Sequence, residues 1–173
     1  LKEWKNFNRI RLLLEGHGRN IDDSGIDITR TVGWFTTIWP FILECESDIQ
    51  AAFKNIHTKL KDVPNGGLSY GVLRYLGGHA ELETTMDISF NYLGRLESEE
   101  GKFSMVNENL GVTVSPDNRL GQIMEFVLFA VGDTLEINLT YDSGRLTDSE
   151  AKLLLELFRE WLKRTKGCRI MKF

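Results

Sequence analysis

Hydrophobic and polar positions change period several times along the 173 residues. Over residues 8–15 they alternate, with Ile10, Leu12 and Leu14 on one side and Arg9, Arg11, Leu13 and Glu15 on the other. That is the period of a half-buried strand, and it leaves Glu15 at the end of the more polar face. Gly16-His17-Gly18 breaks the pattern, and a loop rich in Asp, Ser and Gly is predicted from Asn20 to Gly25. Residues 37–44 read as a second strand, in which Pro40 points to an edge or a bend because proline has no N–H for the ladder. Ser47 followed by Gln50 forms a capping box for a helix whose stripe is Ile49, Ala52, Phe53, Ile56 and Leu60. This helix should stop near Val63, before Pro64-Asn65-Gly66-Gly67, and a short helical segment is predicted over 68–76.

A two-residue period returns over 86–92, sending Met86, Ile88, Phe90 and Tyr92 one way and Asp87, Ser89 and Asn91 the other. Two β-rich runs, 122–130 and 134–141, flank Gly132-Asp133 as a hairpin, with Leu135, Ile137 and Leu139 on its core side. The last helix has the clearest signal: Thr147 and Glu150 form a capping box, and Ala151, Leu154, Leu155, Phe158, Trp161 and Leu162 recur at helical spacing before Gly167 ends the run. Strands in the middle with helices around them predict an α/β (α+β) two-layer sandwich with a mostly antiparallel or mixed sheet. With 42% hydrophobic residues, this length supports one core, and so a single domain or one lobe of something larger.

Charge narrows the partners. The 21 basic residues are scattered and the net charge is -4, so no electrostatic footprint for nucleic acid is visible. The longest apolar run, 126–131, is far shorter than the roughly 20 residues that a membrane-spanning helix needs. The first residues have no apolar signal core and do not start with Met, which points to a cytoplasmic protein cut from a longer chain. Cys45 and Cys168 are too distant for a CxxC pattern and read as reduced structural thiols. No metal-ligand cluster, P-loop or dinucleotide fingerprint occurs.

The most suggestive chemistry is Glu15-Gly16-His17-Gly18-Arg19, which sets a carboxylate, an imidazole and a guanidinium beside two glycines at a strand end. Glycines there let a substrate approach the backbone, and a carboxylate so placed can serve as a general base, worth about 10²–10⁴-fold in rate. From spacing alone the plainer reading is a turn in which Glu15 pairs with Arg19. The same five residues resemble the Glu-Gly-His-Gly-Arg motif of non-ribosomal peptide synthetase epimerisation domains. Three further segments follow in the order of that family. Residues Arg30-Thr31-Val32-Gly33-Trp34-Phe35-Thr36 resemble its Arg-Thr-Val-Gly-Trp-Phe-Thr segment, Pro64 to Gly71 are similar to its Pro-x-x-Gly-x-x-Tyr-Gly stretch, and Phe90-Asn91-Tyr92-Leu93-Gly94 are similar to its Phe-Asn-Tyr-Leu-Gly strand. Motifs carry the resemblance from about Arg11 to Gly94, and the order of elements carries it to about Lys166.

The resemblance implies a chloramphenicol-acetyltransferase-like lobe, the carboxyl-terminal half of a two-lobed domain, spanning residues 1–173. The family's His-His-x-x-x-Asp motif belongs to the amino-terminal lobe. No His-His pair occurs in this sequence, where His17, His57 and His79 stand apart, so this chain is expected to form one wall of the site and to be inactive alone. The implied reaction inverts the α-carbon of an aminoacyl or peptidyl thioester, L to D, on the phosphopantetheine arm of a peptidyl carrier protein. Glu15 is then the acid/base residue, its pKa raised by partial desolvation, with His17 as a second catalytic candidate that bonds Glu15 or orients the loop. Asn91, Tyr92, Arg19 and Trp34 are the substrate-binding candidates. Alternation sends Asn91 and Tyr92 to opposite faces, which favours Asn91, as a donor to the thioester or enolate oxygen or as a pin for backbone. Trp34 and Phe35 are expected to pack the channel floor, and Arg30, Tyr70 and Gly71 to be architectural. Two alternatives stand beside this reading: a condensation lobe that forms peptide bonds, and a non-catalytic module that docks a carrier protein.

Overall fold

The computed structural model describes residues 1–19, 25, 27–82, 85–96, 111, 115, 117–118 and 120–165. The loop predicted from Asn20 lies outside them except for Gly25, as do Gly167 and Cys168; Cys45 is a free thiol. A short helix α1 (Lys2–Lys5) leads into strands β1 (Arg9–Gly16) and β2 (Thr37–Glu44), followed by helix α2 (Ile49–Lys61). A 3₁₀ turn (Pro64–Gly67), a single α-turn α3 (Leu68–Gly71) and a π-helical turn (Val72–Leu76) then precede β3 (Ile88–Leu96), β4 (Met124–Val131), β5 (Thr134–Tyr141) and the long helix α4 (Asp148–Thr165).

The strands form one mixed five-stranded sheet in the order β2-β1-β3-β4-β5, with an antiparallel pair at each side and parallel pairs in the middle. β2 is an edge strand, one of the two placements, edge or bend, to which Pro40 points, and the ladder accommodates the proline opposite Leu13. Register brings the apolar positions of all five strands to one face, in rows such as Phe41, Leu12, Ile88, Met124 and Tyr141. Helix α4 lies over this face with Ala151 and Leu154 each 3% exposed, while Phe158 meets Phe126 edge-on at 5.9 Å. A small residue at 151 lets the helix approach the sheet, and each fully buried leucine contributes about 1.5–3 kcal/mol. Leu1 and Trp4 pack against the same core.

The second capping box forms as expected. Glu150 N–H donates to Thr147 Oγ1 at 3.3 Å, and Thr147 N–H donates to Glu150 Oε2 at 2.9 Å. The Glu150 carboxylate also accepts from Lys5 at 2.7 Å, and these bonds, the lysine's foremost, pull its pKa down to about 2. At α2 the cap is one residue later than the sequence pattern places it. Asp48 accepts from Ala51 N–H at 2.9 Å, whereas the Ser47 hydroxyl is taken by Lys2. A carboxylate so close to the first helical N–H groups outcompetes a neighbouring hydroxyl. The apolar stripe of α2 stays partly exposed, Phe53 at 52%.

Two other expectations shift. β3 begins later than predicted and runs on to Leu96, because a bulge between Tyr92 and Arg95, with Gly94 at φ 83°, resets the alternation instead of ending the strand. On β5, Ile137 and Leu139 pack against the core, but Leu135 near the hairpin tip is 39% exposed, beyond the last core residue of β4, Leu128. The Pro64-Asn65-Gly66-Gly67 stretch makes a left-handed run, with φ values of 50°, 56° and 86° at its last three residues. Thr37 Oγ1 donates to Gly66 O at 2.9 Å, and Gly67 lies so close to the Trp39 ring that an added Cβ would come 2.0 Å from Cε3.

Two stability measurements test this packing. Leu154→Ala should lower the unfolding free energy by about 2–5 kcal/mol in chemical denaturation, as expected when a core leucine leaves a cavity. Gly67→Ala should cost about 2–5 kcal/mol, since left-handed strain of about 1–2 adds to overpacking of about 1–3.

Candidate active site

The face of the sheet away from α4 carries the chemistry. Because Leu14 belongs to the core side of β1, Glu15 must emerge on the other side, and β3 sends Ser89 and Asn91 to that same side. Asn91 Nδ2 donates to Glu15 Oε2 at 2.7 Å, joining residues 76 positions apart. One strand further, Ser89 stands opposite Glu125, and its hydroxyl donates to Glu125 Oε1 at 3.4 Å. Glu15 is half-buried and, among the described residues, takes part in no ion pair. Its pKa is raised above the ordinary carboxylate value, first by burial and then by the negative charge of Glu125.

The two glycines after Glu15 have steric reasons. A Cβ on Gly16 would touch the Trp39 ring at 3.0 Å, and Gly18, at φ 62°, presses so close to Phe35 O that a Cβ would overlap it. Between them, exposed His17 accepts the Arg19 N–H on Nδ1 at 3.1 Å, which makes Nε2 the protonated nitrogen of the neutral ring. The Arg19 guanidinium donates to Ile28 O at 2.9 Å and Thr31 O at 3.1 Å, reaches Gly33 O at 3.5 Å, and stacks 4.5 Å over the Phe35 ring. The turn in which Glu15 pairs with Arg19 therefore does not form. Arg19 is occupied by three carbonyls of the following loop, and Asn91 from another strand holds the carboxylate.

Of the sequence candidates, Glu15 and Asn91 are brought together, while His17 and Arg19 bond each other next to them. Trp34 stands 91% exposed instead of packing a floor, and Tyr92 points to the opposite face at 54% exposure. Tyr70 has an architectural bond, donating its hydroxyl to Leu82 O at 2.8 Å. Ser89 and Glu125 were not singled out by sequence reasoning. The signal for Glu125 was present, since it is the one acid in the run Met124-Glu125-Phe126-Val127-Leu128, but only strand register places it near Glu15. A cleft of about 420 Å³ lies among the opposite ends of the strands, near Ile10, Ile88 and Met124, and does not include Glu15. Among the described residues no group of three His, Cys, Asp or Glu side chains is arranged to hold a metal ion, and no helix is long and apolar enough to cross a membrane.

A carboxylate with raised proton affinity, held by an amide and unpaired with a cation among the described residues, has the chemistry of a group that gives or takes a proton. Known proteins with related sequences place the arrangement in context. The family model described as the condensation domain matches residues 1–166. Bacitracin synthase 3 of Bacillus licheniformis is 33% identical over 168 residues, covering 94% of this chain, and surfactin synthase subunit 2 of Bacillus subtilis (strain 168) is 43% identical over 164 residues, covering 92%. The chain spans only 3% and 5% of the lengths of these two synthetases. The crystal structure of the epimerization domain from the third module of tyrocidine synthetase B is similar with a TM-score of 0.80 and 28% identity, over 92% of this chain and 37% of that one. The chain thus belongs to the condensation domain family of non-ribosomal peptide synthetases, which holds their epimerisation and condensation domains.

Proposed function

We propose that this chain is the carboxyl-terminal lobe of an epimerisation domain and supplies one of the two proton-transferring groups that invert an α-carbon on a carrier-bound thioester. The observation that carries the reading is Glu15: a half-buried carboxylate with raised pKa, bonded by Asn91 and free of ion pairing among the described residues. Its place in the Glu15-Gly16-His17-Gly18-Arg19 motif and the likeness to an epimerization domain support the same choice.

Inversion requires removal of the α-proton on one face and its return on the other. Glu15 serves one face, and the histidine of the His-His-x-x-x-Asp lobe serves the other. Asn91 keeps the carboxylate aimed by its short hydrogen bond. His17, Gly18 and Arg19 form the turn beside it, with Arg19 tying the loop through Phe35 to the strand end. The substrate arrives as a thioester on the phosphopantetheine arm of a peptidyl carrier protein. A condensation lobe is the second reading, because the matching family model is that of the condensation domain.

The test uses the whole domain that contains this chain. With carrier-bound aminoacyl substrate in deuterated solvent, wild type should incorporate deuterium at the α-carbon and invert it, and Glu15→Gln should lose exchange by about 10²–10⁴-fold. Equal exchange by both proteins removes Glu15 from the reaction, and a new amide bond without inversion establishes the condensation reading.

Stability offers an independent check. A carboxyl whose folded pKa is raised holds its proton more tightly in the folded state, so ionisation costs stability as pH climbs through the unfolded and then the folded value. Glutamine keeps an oxygen to accept from Asn91 and carries no charge. Glu15→Gln should therefore unfold at higher denaturant than wild type at pH 7, with the gap closing once the pH falls below the ordinary carboxylate range.

A further inference from the structure

Glu15 and Glu125 are the two ends of a small polar network whose middle is β3. The parallel register sets Leu13 beside Ser89 and Ser89 beside Glu125, while Asn91, one pleat further along, meets Val127. Each carboxylate is therefore held from β3 by a neutral donor, Glu15 by the Asn91 amide at 2.7 Å and Glu125 by the Ser89 hydroxyl at 3.4 Å. Ser89 is only 4% exposed, so the donor holding Glu125 is itself locked in place. Glutamate is depleted in strands, and this one interrupts an otherwise apolar run on a central strand.

We propose that Glu125 is a positioning residue of the site, whose negative charge, held on the same face of the sheet two strands away, biases Glu15 toward standing as proton donor when substrate arrives. The inference rests on the reading of Glu15 as an acid/base group. As a donor, Glu15 passes its carboxyl proton to the α-carbanion and becomes a carboxylate; as an acceptor, its carboxylate takes the α-proton, and no other bond changes.

The surroundings leave Glu125 as the charge that matters. Along β1, Arg11 is directed to Asp87 at 3.7 Å, and beyond the strand end Arg19 is engaged by carbonyls and the Phe35 ring. His17 accepts from the Arg19 amide. β2 offers Ile38 opposite Glu15, and β3 offers the neutral Ser89 and Asn91. Against that neutral background a second carboxylate favours protonated Glu15, in the same sense as burial.

The experiment measures solvent deuterium exchange against pH in the whole domain, for wild type, Glu15→Gln and Glu125→Gln. Protonation of Glu15 sets the acidic limb. In Glu125→Gln this limb should move to lower pH, so that below the wild-type midpoint the variant keeps a several-fold larger fraction of its own plateau rate. Should the glutamine variant not fold, Glu125→Thr, uncharged and suited to a strand, carries the same expectation. Loss of exchange in Glu15→Gln together with an unmoved limb in the Glu125 variant overturns the role of Glu125 and leaves that of Glu15 standing. Wild-type exchange in Glu15→Gln overturns the reading on which both depend.

Discussion

The two-residue alternation of β1 is the constraint on which the rest of the molecule depends. β1 is paired on both sides, antiparallel to edge strand β2 and parallel to β3, so its side chains have only the two faces of the sheet available. Ile10 and Leu12, with Leu14 beside them, enter the core beneath α4, and this obliges Glu15 to emerge on the far side. A slip of one residue would bury Glu15 and expose three apolar side chains, so the packing that stabilises the sheet also positions the carboxylate.

The turn after β1 converts a position into a site. Gly16 admits the Trp39 ring, and Gly18 adopts a left-handed conformation against Phe35 O that a residue with a Cβ would clash with. Arg19 then spends its guanidinium on the loop that carries Ile28, Thr31 and Gly33. Taking that cation out of reach is what leaves Glu15 without an ion pair among the described residues. Had Arg19 closed on Glu15, the carboxyl would be held low and poorly suited to receiving a proton near neutral pH.

Electrostatics on the second face follows from the same register. Asn91 and Ser89 alternate down β3 as neutral donors, each serving an acid on a different neighbouring strand. Partial burial and a like charge act on Glu15 together, which ties its chemistry to β4 as well as to its own motif. The ion pairs elsewhere, such as Lys5 with Glu150 beside the α4 cap, join surface elements and contribute little by comparison with the core.

By itself the sequence determined the strands, the closing helix with its Thr147 and Glu150 cap, the restriction of β2 through Pro40 to an edge or a bend, and the face on which Glu15 lies. All of these are local, written in period, capping residues and a missing N–H. It also carried the motifs by which the family is recognised. Tertiary structure alone decided that Glu15 meets Asn91 and not Arg19, that Glu125 bears on it from two strands away, that Trp34 faces outward, and that Asp48 displaces Ser47 as a cap. Strand order and register bring together residues tens of positions apart, and competition between alternative donors is settled only once the chain has folded and every neighbour is in place.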